Sequence, residues 1–349
     1  MKPRALKADP TMMAQKTARS IPSTANYGKP GIASSLVVAL FVSIFPWWVF
    51  RGAEYIDREN NLFFIDRLAN KLYWFDFDSL LSKIMNEWGW NFLLLISVEN
   101  LGLSGAQILG LIAFVSFLVA SFFIVRGRQP GYAFLLFNPL FIDFVVSQSR
   151  LALTMSILTV GYLLYKRGSR AFIAPLVIAP FIHTSSILFI FLIGVALIFQ
   201  NYVPARTSLR FFIATTTGLI ISILTGPLLV TVLSSLEDRR VNYEDMNSPL
   251  IYTLFWICLY FYYFLINFAT NSAKTDVFYI SVSVLSIVVF GLVFGGYPIR
   301  FVAACFPFIV SSFFELPGRF RHLIFIYYLL LQYILSLSSR FRDKSNGTF

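Results

Sequence analysis

Arg150 and His183 are charged or titratable residues inside long apolar stretches, within Ser147-Gln148-Ser149-Arg150 and Pro180-Phe181-Ile182-His183-Thr184. A side chain of this kind is costly to keep among lipid-facing residues and marks function by default. A guanidinium can offer a phosphate two parallel, charge-assisted hydrogen bonds and stays charged at any cellular pH. An imidazole can take up or release a proton near neutrality. Arg51, Arg239, Arg240 and Arg300 fall in short polar segments between apolar runs, with Tyr243 beside the central pair. Glu87 and Asp57 add carboxylates among tryptophans and phenylalanines. Arginines that bind phosphate, carboxylates that accept from sugar hydroxyls and aromatic faces that stack on pyranose rings together suit a lipid-linked, phosphate-bearing sugar. In that chemistry Arg51, Arg150, Arg239, Arg240, Tyr243 and Arg300 hold the anion, and His183, Glu87 or Asp57 handles the proton.

Each of these residues also has a plainer reading. Arg150 at a helix end suits snorkelling, or bonding to backbone carbonyls. His183 suits a cap between Pro180 and Thr184-Ser185-Ser186, and Arg239-Arg240 a solvated loop pair. Arg300 follows the turn Gly295-Gly296-Tyr297-Pro298, where its charge opposes the helix dipole, so either an anion or interfacial anchoring would account for it. Glu87 suits an acid at a helix start, which the dipole favours.

The elements that must position these residues are read from hydropathy. The 349 residues are 57% hydrophobic and only 13% charged, with a mean hydropathy of +0.72, which excludes an ordinary water-soluble domain. A net charge of +11 lies between the apolar runs, as orientation signals and headgroup contacts do, so nucleic acid is set aside as a partner and membrane lipid is expected. Cys258 and Cys305 sit in apolar runs without CxxC spacing, and there are two histidines in all. Neither a disulfide framework nor a metal site is indicated, and no cofactor is expected.

Residues 1–31 carry Lys2, Arg4, Lys7, Lys16, Arg19 and Lys29 against Asp9 and read as a disordered basic tail on the cytoplasmic side. Residues 32–338 read as one all-α, polytopic transmembrane domain of about 10–11 helices, and 339–349 as a flexible tail. The expected crossings are 32–50, 104–125, 131–146, 151–165, 171–182, 184–199, 211–234, 250–268, 277–294, 301–314 and 323–337. Outer loops fall at 51–103, 235–249 and 295–300. In the first of them Trp88-Gly89-Trp90-Asn91-Phe92-Leu93 is too short to span and reads as an amphipathic helix on the outer surface with its tryptophans at headgroup level. Four runs between 131 and 199 are shorter than the roughly 20 residues a full hydrocarbon core needs. They pair as hairpins because Lys166-Arg167-Gly168-Ser169-Arg170 and the stretch from Arg206 to Arg210 both look cytoplasmic. Arg150 then sits at one outward tip and His183 at the other. Reading 171–199 as one broken helix would put Arg340, Arg342 and Lys344 inside, but would move Arg206 and Arg210 outward.

The run Gln148-Ser149-Arg150-Leu151-Ala152-Leu153, the basic turn after Tyr165, and Ala179-Pro180-Phe181-Ile182-His183-Thr184-Ser185 resemble the EpsG family of Wzy-type polysaccharide polymerases. That family's pattern has an Arg followed by small and apolar residues, a basic turn, then Ala-x-x-x-His-x-Ser. Arg51 just after the first run and Glu87-Trp88-Gly89-Trp90 are similar in layout. The specific likeness covers roughly residues 135–191. The resemblance implies a membrane glycosyltransferase at the outer face of a bacterial inner membrane. It would move a growing glycan from undecaprenyl diphosphate onto a lipid-linked oligosaccharide repeat unit for O-antigen, capsule or exopolysaccharide, in company with a chain-length regulator. Two other classes compete. A flippase for the same lipids calls for internal repeats and charges along a mid-membrane path, and no repeat is present. A membrane acyltransferase calls for a second buried His or Asp in a catalytic pairing, and His322, the only other histidine, lies in a basic loop.

Overall fold

The computed structural model describes residues 29–47, 49, 55–66, 79–203, 207–228, 231, 250–270 and 274–330. Among them every regular element is helical. The order is α1 (Lys29–Ile44), α2 (Ile56–Asp66), α3 (Leu80–Met85) and α4 (Trp88–Leu95), the last running into a π-turn at Ile96–Asn100. Next come α5 (Gly105–Val125), a 3₁₀ segment (Pro130–Leu136), α6 (Pro139–Ser147), α7 (Ser149–Lys166), α8 (Ile173–Ile182) and α9 (Ser186–Tyr202). The chain continues with α10 (Thr207–Ile223), a π-turn (Leu224–Leu228), α11 (Leu250–Ala269), α12 (Asp276–Phe294), α13 (Pro298–Ala304) and α14 (Phe306–Phe313). A last helix occupies 318–330.

Three helices among the described residues are long and apolar enough to cross a membrane: Gly105–Val125, Ser208–Leu228 and Asp276–Phe294. The 3₁₀ segment and α6 pass the same test together but are bent by 77°, so the run expected as one helix over 131–146 is broken. The break falls where Pro139 opens α6 and Asn138 caps it by accepting from the Leu140 N–H at 2.9 Å. The expected helix at 301–314 is likewise two pieces. It starts at Pro298 and breaks at Cys305 ahead of Pro307. The α-helix of the expected 211–234 span starts at Thr207 and ends at Ile223, and Gly226 and Pro227 prevent regular continuation.

α12 is the central helix, with thirteen buried residues from Asp276 to Val288, and it packs on α9, α10, α11 and α14. The α10 contact is very close: a Cβ on Gly218 would lie 1.8 Å from Ser286 Oγ and 2.4 Å from the Ser283 carbonyl oxygen. Small residues let two apolar helix backbones approach this closely.

Polar contacts define the two ends of the bundle. At one end Lys166 at the close of α7 pairs with Asp276 at the start of α12 (3.1 Å), which also accepts from Tyr162 Oη at 2.9 Å. Asn201 at the end of α9 donates to Tyr165 Oη (3.1 Å), and Phe172, just before α8, packs edge-on against the Tyr165 ring. α8 therefore leaves this end and α9 returns to it, which makes α8 and α9 a hairpin. Arg128 Nη1 reaches Ser311 Oγ at 3.2 Å, and Glu315 bonds to Thr275, so the loop after α5 and the end of α14 lie at this end too. Arg150, sixteen residues before Lys166 on α7, is about 24 Å away along the helix axis.

Candidate functional site

At the opposite end, three residues from separate segments meet. Glu87 lies between α3 and α4 with φ 53°, the left-handed region that non-glycine residues rarely occupy. That residue separates α3 from α4, and its carboxylate faces α7 and the tip of the α8–α9 hairpin. Arg150, in the first turn of α7, donates through Nη1 to Glu87 Oε2 at 2.6 Å. The His183 Nδ1 hydrogen-bonds to Glu87 Oε1. The carboxylate thus has one oxygen on the guanidinium and the other on the imidazole. Glu87 is buried, with 11% of its side chain exposed, whereas Arg150 keeps 45% and His183 24%.

Burial alone would push the Glu87 carboxyl upward. The hydrogen bond and charge of His183, joined by those of Arg150, outweigh it and hold the carboxyl at about 2, below its ordinary 4.5. The Glu87 carboxyl is accordingly held in its ionised form. Because its carboxylate takes the Nδ1 side of His183, Nε2 is the ring nitrogen left for other chemistry.

The local framework explains how residues 63 and 96 positions apart stay together. Thr184 Oγ1 donates to the Ile84 carbonyl at 3.0 Å, tying the hairpin tip to α3. Gly89 rests on the Phe181 backbone, where a Cβ would come within 2.9 Å of Phe181 Cβ and 3.0 Å of its carbonyl oxygen. Only glycine permits α4 and α8 to approach this closely. Asn91 Nδ2 donates to the Asn86 carbonyl at 3.2 Å and steadies the turn that carries Glu87. The buried hydroxyls of Ser149 and Ser186, and that of Ser185, lie within three residues of Arg150 or His183 in sequence and find no hydrogen-bond partner among the described residues. Buried hydroxyls rarely go unpaired.

The remaining candidates are placed as follows. Asp57 lies in the first turn of α2, half-buried, on a helix that packs against α5 and α6; the ion pairs of the Glu87 cluster do not include it. Arg300 lies in the first turn of α13 with its guanidinium 5.0 Å from the Tyr297 ring centre. α13 and α14 lead from there to Glu315 at the Lys166 end, so Arg300 lies toward the Arg150 end, outside the cluster. Arg51, Arg239, Arg240 and Tyr243 lie outside the described residues. The tryptophans also divide. Trp88 is partly exposed and stacks on Phe92 with ring centres 5.1 Å apart, but Trp90 is only 2% exposed and packs with Leu94, Ile108, Ile112 and Ile182. Trp90 therefore packs into the protein between α4, α5 and α8, while Trp88 keeps an exposed face.

Among the described residues no three His, Cys, Asp or Glu side chains cluster as metal ligands would. The chain matches no protein-family model, and no characterised protein or solved structure is detectably similar to it.

Proposed function

We propose that this protein is a polysaccharide polymerase of the inner membrane of a bacterium, joining lipid-linked oligosaccharide repeat units at the outer face. The observation that carries the reading is the Glu87 carboxylate gripping Arg150 and His183 at one end of the helical bundle. Those are the residues on which the resemblance to EpsG-type polymerases rests. In this reading the remaining apolar helices, several of them only 10–17 residues long, complete a polytopic domain of about 10–11 crossings. The Lys166 end faces the cytoplasm and the Arg150 end faces outward, as the basic loops at 126–128 and 166–170 favour.

In this reading the geometry supports the following chemistry. An acceptor hydroxyl oxygen forms a bond to the anomeric carbon as the bond from that carbon to the diphosphate oxygen breaks. The electron pair leaves with the diphosphate. His183 Nε2 takes the hydroxyl proton, and Glu87 orients the ring and stabilises the imidazolium that forms. Arg150 spends one N–H on Glu87 and, half exposed, has donors left for the departing diphosphate, whose charge grows in the transition state. Arg300 and the arginines at 51, 239 and 240 are further candidates for the diphosphate, and Tyr243 for the sugar.

The test is deletion followed by a lipid-glycan gel. Loss of a polymerase leaves glycolipid carrying a single repeat. Loss of a flippase leaves none, and loss of an acyltransferase leaves a full ladder of altered sugar; either outcome refutes the assignment.

A further inference from the structure

An open apolar cavity of about 420 Å³ lies between α4 and α8, and its walls include Trp88, Phe92 and Ile96 on one side and Ile178, Phe181 and Ile182 on the other. It begins one residue from Glu87 and one residue from His183. Phe92, Ile96 and Ile178 are more than a third exposed along it. Two cations stand near its polar end: Arg150 on Glu87, and Lys83, whose ammonium lies 5.6 Å from the Trp88 ring centre. The π-turn at Ile96–Asn100 shapes the far part of the wall, and such turns inside helices often mark functional sites.

We infer that this cavity holds the head-proximal isoprene units of a diphosphate-headed lipid whose head sits on Arg150. The inference rests on the polymerase reading and adds to it the place of the lipid chain. A bulk acyl chain can lie along any apolar face of the bundle. A concave apolar channel that starts beside two members of a charged cluster suits a tail covalently joined to the anion that the cluster holds. Branched and aromatic walls fit a methyl-branched chain, and the nearby cations select a doubly charged head over a neutral one.

The experiment uses the full-length protein in detergent with a farnesyl diphosphate analogue carrying a terminal benzophenone. After photolysis, label is expected on peptides spanning 88–97 and 178–182. Ile178→Trp, which fills the cavity from α8, should lower the yield about tenfold, and the corresponding farnesol analogue, lacking the diphosphate, should label about tenfold less than the diphosphate. A large excess of dioleoyl phosphatidylglycerol should leave the yield within about twofold. Label spread over other helices, insensitivity to Ile178→Trp, equal labelling by the alcohol, or loss of label to phosphatidylglycerol would overturn the inference. The deletion gel separates the two claims. Single-repeat glycolipid in the deletion strain with label elsewhere leaves the polymerase reading standing and the cavity assignment overturned. Label in the cavity with no change in polymer does the reverse.

Discussion

Replacing Glu87 by Gln keeps the shape of the side chain and removes its charge, which isolates what the carboxylate does. The drop from an ordinary 4.5 to about 2, at about 1.4 kcal/mol for each pH unit, amounts to about 3 kcal/mol favouring the ionised carboxylate in the folded protein. Arg150 is 45% exposed, so solvent screens its share, and the expected loss of stability is about 1–2 kcal/mol. For a domain of this size each kcal/mol moves the transition by roughly 2–4 °C, so Tm in detergent should fall by about 5 °C. Activity should fall further, by about 100-fold, because His183 and Arg150 lose the group that sets their separation. The assays are a thermal melt of purified protein and the polymer ladder of a deletion strain carrying the variant. Wild-type Tm together with a normal ladder would refute the reasoning, since it would mean that the carboxylate positions nothing.

The same pairing sets a pH dependence. A depressed carboxyl stabilises the fold above its unfolded value and loses that contribution as pH falls through its folded value, so the Tm gap between wild type and Glu87→Gln should close as pH drops from 4.5 toward about 2. A gap that widens on acidification would contradict the assignment. Gly89→Ala should force α4 off α8 at a cost of about 1–3 kcal/mol and shorten the polymer, with the protein still in the membrane fraction; unchanged chain length would show that the close approach is not needed. Gly218→Leu should be worse, about 3 kcal/mol or more, because Ser286 Oγ and the Ser283 carbonyl occupy the space, and loss of protein from membranes is the readout. Asp276→Ala should lower Tm more than Lys166→Met, since Asp276 is 1% exposed and serves both Tyr162 and Lys166, while Lys166 is 37% exposed.

Arg150 and His183 could be singled out from the sequence because a charged or titratable residue in an apolar run has few cheap explanations. Glu87 could be noticed beside its tryptophans. Its joining of the other two could not be read, because contacts across 63 and 96 residues leave no local periodicity, and a left-handed Glu carries no sequence signature. The pairing of Lys166 with Asp276 escaped notice for the same reason. The helix breaks at 137–138 and 305 did have local signals, Asn138, Pro139 and Pro307, but overall hydropathy masked them. The inward packing of Trp90 could not be read, because an exposed tryptophan and a packed one look alike until the partner helix is known; the glycine before it, which admits α8, is the available clue. Hydropathy placed the apolar runs, but how far neighbours cover each one, extensive for α7 and slight for α8, is not visible in a single run.

The central claim is that the Glu87-held pair of Arg150 and His183 joins repeat units. The most direct measurement incubates lipid-linked repeat units extracted from the deletion strain with the purified protein in proteoliposomes and follows glycan length on a gel. Wild-type protein should build a ladder, and His183→Ala and Arg150→Lys, reconstituted at equal density, should leave the single repeat unchanged. A ladder of normal length from either variant, or unextended repeats with the wild-type protein, would contradict the account.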